Sequence, residues 1–170
     1  VTQCALCEMG TIRAKSSFAK LIQKIKLLKK SHLFADVHDE ILASLASVVE
    51  EEIFHAGARV ITKGEMGSSM YIIADGKVEV HDGETVFDTL GPGSFFGEYA
   101  ALSPEARSAS ITAITDTRLY CLNREWTYNF IETSVQVSRQ IISTLCERIR
   151  NIIGKRIVSD ESQSKKSRLL

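Results

Sequence analysis

Apolar positions change their spacing twice along the 170 residues. Phe18, Leu21, Ile22, Ile25 and Leu28 recur at steps of three and four, the period of one helix face, and Ser16 or Ser17 can cap the start. Lys20, Lys24, Lys26, Lys29 and Lys30 make the rest of that helix basic. Such a helix can lie on a membrane or meet a partner. Packing on its own domain, with the lysines in water, is the favoured reading. Ile41, Leu42, Leu45, Val48 and Val49 predict a second helix over about 38–50.

The pattern then shortens. EEIFHAG, ARVITKG, SMYIIADG, KVEVHDG, ETVFDTLGPG, SASITAI and TRLYCLN are β-rich runs separated by Gly, Asp-Gly or Gly-Pro-Gly turns. They recur about every 8–12 residues. That rhythm predicts an antiparallel sandwich or jelly roll rather than a parallel sheet, and the expected fold is mainly β with flanking helices around an antiparallel jelly-roll β-barrel. Asp82-Gly83 reads as a hairpin turn. Helical spacing returns at Asn123, a plausible N-cap, with Trp126 and Phe130 one turn apart. A long helix over about 134–153 carries Ile141, Ile142, Leu145, Ile149, Ile152 and Ile153 on one stripe, with Gly154 as its expected stop. The polar segment SDESQSKKSRLL after Val158 is predicted to be disordered. The expected division is therefore 1–15, the remnant of an upstream element; 16–35, a connector helix; 36–133, the barrel; 134–157, a terminal helix; and 158–170, a tail.

Composition removes several classes of function. Lys+Arg and Asp+Glu both number 21, so net charge is zero, and a basic surplus for nucleic acid is missing. No stretch is long and apolar enough to cross a bilayer, and no secretory signal is visible. The chain begins at Val1 and is expected to be a piece of a longer parent, in which a membrane domain could lie upstream. Cys4 and Cys7 have C-x-x-C spacing but no second pair, and all four cysteines, with Cys121 and Cys146, are expected as reduced thiols in a cytoplasmic protein. His32, His38, His55 and His81 are scattered, which disfavours a cupin-type metalloenzyme. No nucleophilic triad can be argued, so no catalytic residue is assigned and an enzyme is not expected.

The stretch GSFFGEYAALSPEARSAS, Gly93 to Ser110, is the exception to this plainness. Gly93 and Gly97 let the backbone bend. Gly97 precedes a short helical turn, Glu98 to Leu102, whose leading amides point outward and favour an anion. Ala100 and Ala101 add little bulk, and Arg107 offers a planar fork for two phosphate oxygens. Glu98 would repel a phosphate and suits a sugar hydroxyl instead. Taken alone, Glu98 and Arg107 are read equally well as a structural ion pair.

FGEYAALSPEARSAS resembles the phosphate-binding cassette of cyclic nucleotide-binding domains. AGARVITKGEMGSSMYIIADGKVEV is similar to that family's first strands, with Gly57, Gly64, Gly67 and Gly76 at its turns, and the likeness covers roughly 33–131. It implies that Glu98 binds a ribose 2′-hydroxyl and that Arg107 binds the cyclic phosphate. Backbone amides at Tyr99, Ala100 and Ser108 would assist after Gly97. Val80 and Phe87 would face sugar and base, or else be ordinary core. Tyr99 is bulkier than the family's usual aliphatic residue and is expected to point into the core.

The resemblance also implies a regulatory module in which the terminal helix swings over the pocket as a lid. The expected ligand is cAMP, with cGMP as the second choice, because Ser108 is small and hydroxylated. The expected partner is an upstream domain of the parent chain, on the cytoplasmic side of a membrane if that parent is membrane-embedded. VTQCALCEMG resembles the end of a helical repeat such as HEAT. A homo-oligomer through the flanking helices stays open, as does a domain of this fold that has lost its ligand and serves in protein contacts. DNA binding is not expected, because a helix-turn-helix domain would have to follow the terminal helix.

Overall fold

The computed structural model describes residues 5–31, 33–103 and 105–167; side chains are described for 18–31, 33–103, 105–151 and 153. Two helices lead, α1 (Ala5–Lys30) and α2 (Asp39–Val48). Eight strands follow among the described residues: β1 (Glu50–Phe54), β2 (Arg59–Ile61), β3 (Ser69–Asp75), β4 (Val78–Asp82), β5 (Thr85–Leu90), β6 (Phe95–Phe96), β7 (Ser110–Ala113) and β8 (Thr117–Asn123). A short helix, α3 (Glu98–Leu102), lies between β6 and β7, and α4 (Arg124–Thr133) and α5 (Val135–Ser167) close the order.

All pairing is antiparallel, in two four-stranded sheets ordered β1-β8-β3-β6 and β2-β7-β4-β5. The jelly-roll expectation holds, as two facing sheets rather than a closed barrel. Alternation along the first sheet explains both layers of core, because successive side chains leave a strand on opposite faces. Ile73, Leu119 and Phe96 turn inward, where Ile61, Val78 and Ile111 of the second sheet meet them. Met70, Ile72, Tyr120, Leu122 and Phe95 turn outward, against Leu28, Leu42, Leu45, Phe130, Val137 and Ile141 of the helices.

The N-cap at Asn123 is present: its Oδ1 accepts from the Trp126 amide at 3.0 Å. β4 and β5 join through Gly83 and Glu84, the predicted hairpin. Two helix ends differ from the sequence reading. α1 is already helical at Ala5, not first at Ser16 or Ser17, since neither serine is an obligatory cap. α5 runs through Gly154 to Ser167, where a stop and a disordered tail were expected. A glycine inside a helix costs only about 1 kcal/mol relative to alanine, and no proline follows to enforce an end. β6 is a further strand, hidden at sequence level inside the cassette segment.

The basic face of α1 is partly engaged by its own domain. Lys24 Nζ donates to Val49 O at 2.8 Å and stands over the Tyr120 ring, and Lys29 pairs with Asp39.

Ile73 is 1% exposed at the centre of the inter-sheet core. Ile73→Ala should cost about 2–5 kcal/mol. Urea unfolding should show an earlier midpoint, and an unchanged midpoint would remove Ile73 from that core.

Candidate functional site

The site forms where β6 ends. Gly97 follows Phe96 with φ 81°, a left-handed conformation that glycine adopts without strain. A side chain there would be excluded a second time: a Cβ would lie 2.8 Å from Arg107 Nη1 and 3.0 Å from Ser69 O. The bend starts α3, whose first turn leaves its leading amides without intrahelical acceptors. The far end of α3 is tied down by α4. Arg124 Nη2 donates to Ala100 O at 2.6 Å, and the Tyr128 hydroxyl donates to Leu102 O. A cation at the C-terminal carbonyls of a helix also suits the helix dipole.

Arg107 is placed by backbone. The segment 105–108 runs beside the β2–β3 loop: Arg107 N donates to Glu65 O, Gly64 N donates to Arg107 O, both at 2.9 Å, and Met66 bridges to Ala106. The guanidinium lies across Gly67, where an added Cβ would overlap its Nε and Cζ. Arg107 Nη1 donates to Gly97 O at 3.0 Å. Among the described residues Arg107 has no carboxylate at ion-pair distance. Burial pushes the guanidinium below its ordinary value, opposed by nearby Tyr71, Cys121 and Glu98. A partly desolvated cation without a counter-ion is the electrostatic complement of an anion.

Glu98 is 1% exposed and asymmetric. Its Oε1 pairs with Arg148 Nη1 from α5, while its Oε2 is buried without a hydrogen-bond partner. Arg148 also donates from Nη2 to Phe95 O and stacks over the Phe95 ring, 5.0 Å from its centroid. A buried carboxylate oxygen without a donor is costly in a finished protein. It is an acceptor open to a hydroxyl donor.

The structure thus brings the Arg107 guanidinium against Gly97, at the start of the turn that carries Glu98 and Ala100, with Ser108 exposed beside Arg107 in the chain. Val80 packs against the inter-sheet core from β4. Phe87 sits on β5 where the β4–β5 register shifts, 46% exposed. Tyr99 corrects an expectation: it is 47% exposed and does not enter the core. Glu98 and Ala100, its neighbours on α3, take the buried side of that short helix.

Arg148 and Arg124 were missed at sequence level. Arg148 left one signal, a charge seven residues after Ile141 and three after Leu145, on the face of α5 that packs inward. Arg124 left none. Among the described residues, no three His, Cys, Asp or Glu converge as metal ligands. His81 is buried with its ring nitrogens 2.9 Å from Gly83 O and Thr112 Oγ1, and His55 is paired with Asp116 at the surface. Cys121 and Cys146 are free thiols, and burial raises the Cys121 thiol above its ordinary value. His32 and Cys4 lie outside the described residues, and Cys7 outside the described side chains. No helix among the described residues is long and apolar enough to cross a membrane.

The profile of the cyclic nucleotide-binding domain matches residues 51–134, and the chain belongs to that family. It is 30% identical over 130 residues to a CRP-like cAMP-activated global transcriptional regulator of Mycobacterium tuberculosis, covering 74% of this chain and 58% of the relative. It is 32% identical over 146 residues to the alpha subunit of the cone photoreceptor cyclic nucleotide-gated channel of Gallus gallus, covering 81% of this chain and 19% of the channel. The chain therefore spans less than two thirds of each of these relatives. The solved catabolite activator protein of Thermus thermophilus superposes with TM-score 0.68 at 27% identity, over 76% of this chain and 63% of that one. The family is a regulatory domain and typically non-catalytic.

Arg148→Ala would leave the Glu98 carboxylate buried and unpaired. About 3 kcal/mol of stability should be lost, the low end for a buried pair because the Arg148 side chain is 26% exposed. Thermal unfolding should show the drop, and an unchanged transition would mean that the pair is not formed in solution.

Proposed function

We propose that this chain is a cyclic nucleotide sensor, that cAMP is its ligand in preference to cGMP, and that occupancy changes the seating of α5. The carrying observation is two unfilled groups at the start of α3: the Arg107 cation, held to Gly97 O and without a carboxylate, and the Oε2 of the next residue, Glu98, without a donor. A cyclic phosphate supplies the anion and a ribose 2′-hydroxyl supplies the donor. Amides at Tyr99, Ala100 and Ser108 would complete the phosphate's shell, and Val80 and Phe87 would flank sugar and base. The cAMP-activated mycobacterial relative supports the choice of nucleotide.

Arg148 gives the signal a route. It reaches from α5 to the same carboxylate that would hold the ribose. A ligand that redistributes charge on Glu98 alters the free energy of that contact, and a helix responds only to such a difference between its two seatings. In this reading the module performs no reaction and controls an upstream domain of a longer parent. It acts in the cytoplasm, or on the cytoplasmic side of a membrane if the parent has a membrane domain, and without contacting nucleic acid. Val135, Ile142, Ile149 and Ile153 are exposed on α5 and would be the surface for pairing with a second copy.

Calorimetric titration with cAMP and cGMP tests the ligand. Arg107→Ala should lose about 2–5 kcal/mol, roughly 30- to 3,000-fold in affinity. Arg107→Lys should restore only part, because the fork is gone. Gly67→Ala should weaken binding by displacing the guanidinium, with little change in thermal stability. Equal affinity across the series would take Arg107 out of the site.

Deuterium exchange tests the signal separately. Amides over 135–153 should slow when cAMP is added, most strongly around Arg148. Unchanged exchange there, with binding intact, would end the switching proposal alone.

A further inference from the structure

A guanidinium is useful to a ligand only if it is already aimed, since geometry left to the binding event costs affinity. Arg107 is aimed by Gly97 O, so whatever fixes that carbonyl fixes the cation. Gly97 follows β6, which is only two residues long and lies at the edge of its sheet. β6 pairs with β3 at just two positions, Tyr71 with Phe96 and Ile72 with Phe95. Ile73 extends this pairing on the Gly93 side, donating to Ser94 O and accepting from Gly93 N, so the short ladder is anchored away from Gly97.

A side-chain contact makes up the difference. The Tyr71 ring stacks on Phe96, centroids 5.3 Å apart and planes 20° off parallel. Both rings face the inter-sheet core, and the residue after Phe96 is Gly97. The β3 backbone backs the same point, since Ser69 O would stand 3.0 Å from a Cβ on Gly97. The ring stack and the carbonyl–guanidinium hydrogen bond are contacts in the structure, and the chain itself joins Phe96 to Gly97.

We infer that Tyr71 is a positioning residue for the anion site: its ring, stacked on Phe96, holds the Gly97 carbonyl where it aims Arg107. The ring does this work, not the hydroxyl. Burial pushes that hydroxyl up to about 12, so Tyr71 stays neutral and adds no negative charge beside an incoming anion. The inference rests on the proposed function only for the identity of the ligand. The aiming of Arg107 is a property of the free protein.

The test uses Tyr71→Leu, Tyr71→Phe and, as a second break of the same stack, Phe96→Leu. In the free protein, the heteronuclear NOE of the Arg107 Nε–H, assigned by its loss in Arg107→Ala, reports how firmly the guanidinium is held. It should be high in the parent and in Tyr71→Phe, and should drop in both leucine variants while β8 backbone amides keep theirs. Affinity for cAMP should fall up to about tenfold in the leucine variants, the scale of one aromatic pair, and less than about threefold in Tyr71→Phe. An Arg107 NOE unchanged in the leucine variants overturns the inference, as does a loss in Tyr71→Phe equal to theirs. If the parent does not bind cAMP, the ligand proposal fails while the NOE comparison still decides the role of Tyr71.

Discussion

A single half-buried guanidinium organises this end of the molecule. Arg107 is taken partly out of water and given a backbone carbonyl in place of a carboxylate. That arrangement leaves the cation partly desolvated and its charge without a paired carboxylate among the described residues. The backbone around it obeys the same constraint. Gly67 and Gly97 lack side chains where the cation lies, and the β2–β3 loop is laced to 105–108 by paired amides and carbonyls. An ordinary surface arginine needs none of this, because it keeps its hydration and tolerates any neighbour of suitable charge.

Glu98 is the complementary half and also the junction between two layers. The inter-sheet core stops at Phe96, and the helix-facing core includes Phe95. Glu98 follows both by two or three residues and is buried where the layers meet. Its two oxygens face different tasks: one is held by Arg148 from α5, and the other has no donor. Burial makes both matter, since a charge shared across a low-dielectric junction responds strongly to a change at either oxygen. On the proposed function, the same carboxylate would be both a recognition group and a mechanical link.

The sequence exposed the parts of this design that depend on local patterning. Turn glycines, alternating β-runs and the helical stripes predicted the sandwich and its flanking helices, because burial on one face leaves a readable period. The cassette was legible because Gly97, Glu98, Ala100 and Arg107 lie within eleven residues of one another. What was not legible came from distance or from weak local signals. Arg148 stands 50 positions from Glu98, and nothing nearby announces the pairing. Gly154 looked like a helix end because glycine often is one, yet its cost is too small to stop a helix unaided. Tyr99 was expected inside on the basis of size, but α3 has only one buried side and Glu98 and Ala100 take it.

The two cores also divide the labour of stability. α5 rests on the body through Val137, Ile141 and partly buried Leu145, in the helix-facing core to which Phe95 and, from α3, Ala101 and Leu102 also belong, whereas Phe96 faces the inter-sheet core. A shift of α5 would repack the helix-facing core, in which α3 takes part, and would leave the inter-sheet core intact. Arg148 is the described polar contact that spans the division, with Glu98 on one hand and Phe95 O on the other. A helix held by an apolar stripe alone would slide without regard to the ligand. One held through a shared carboxylate moves at a cost that depends on what else the carboxylate binds, and that dependence is the physical content of coupling between two sites.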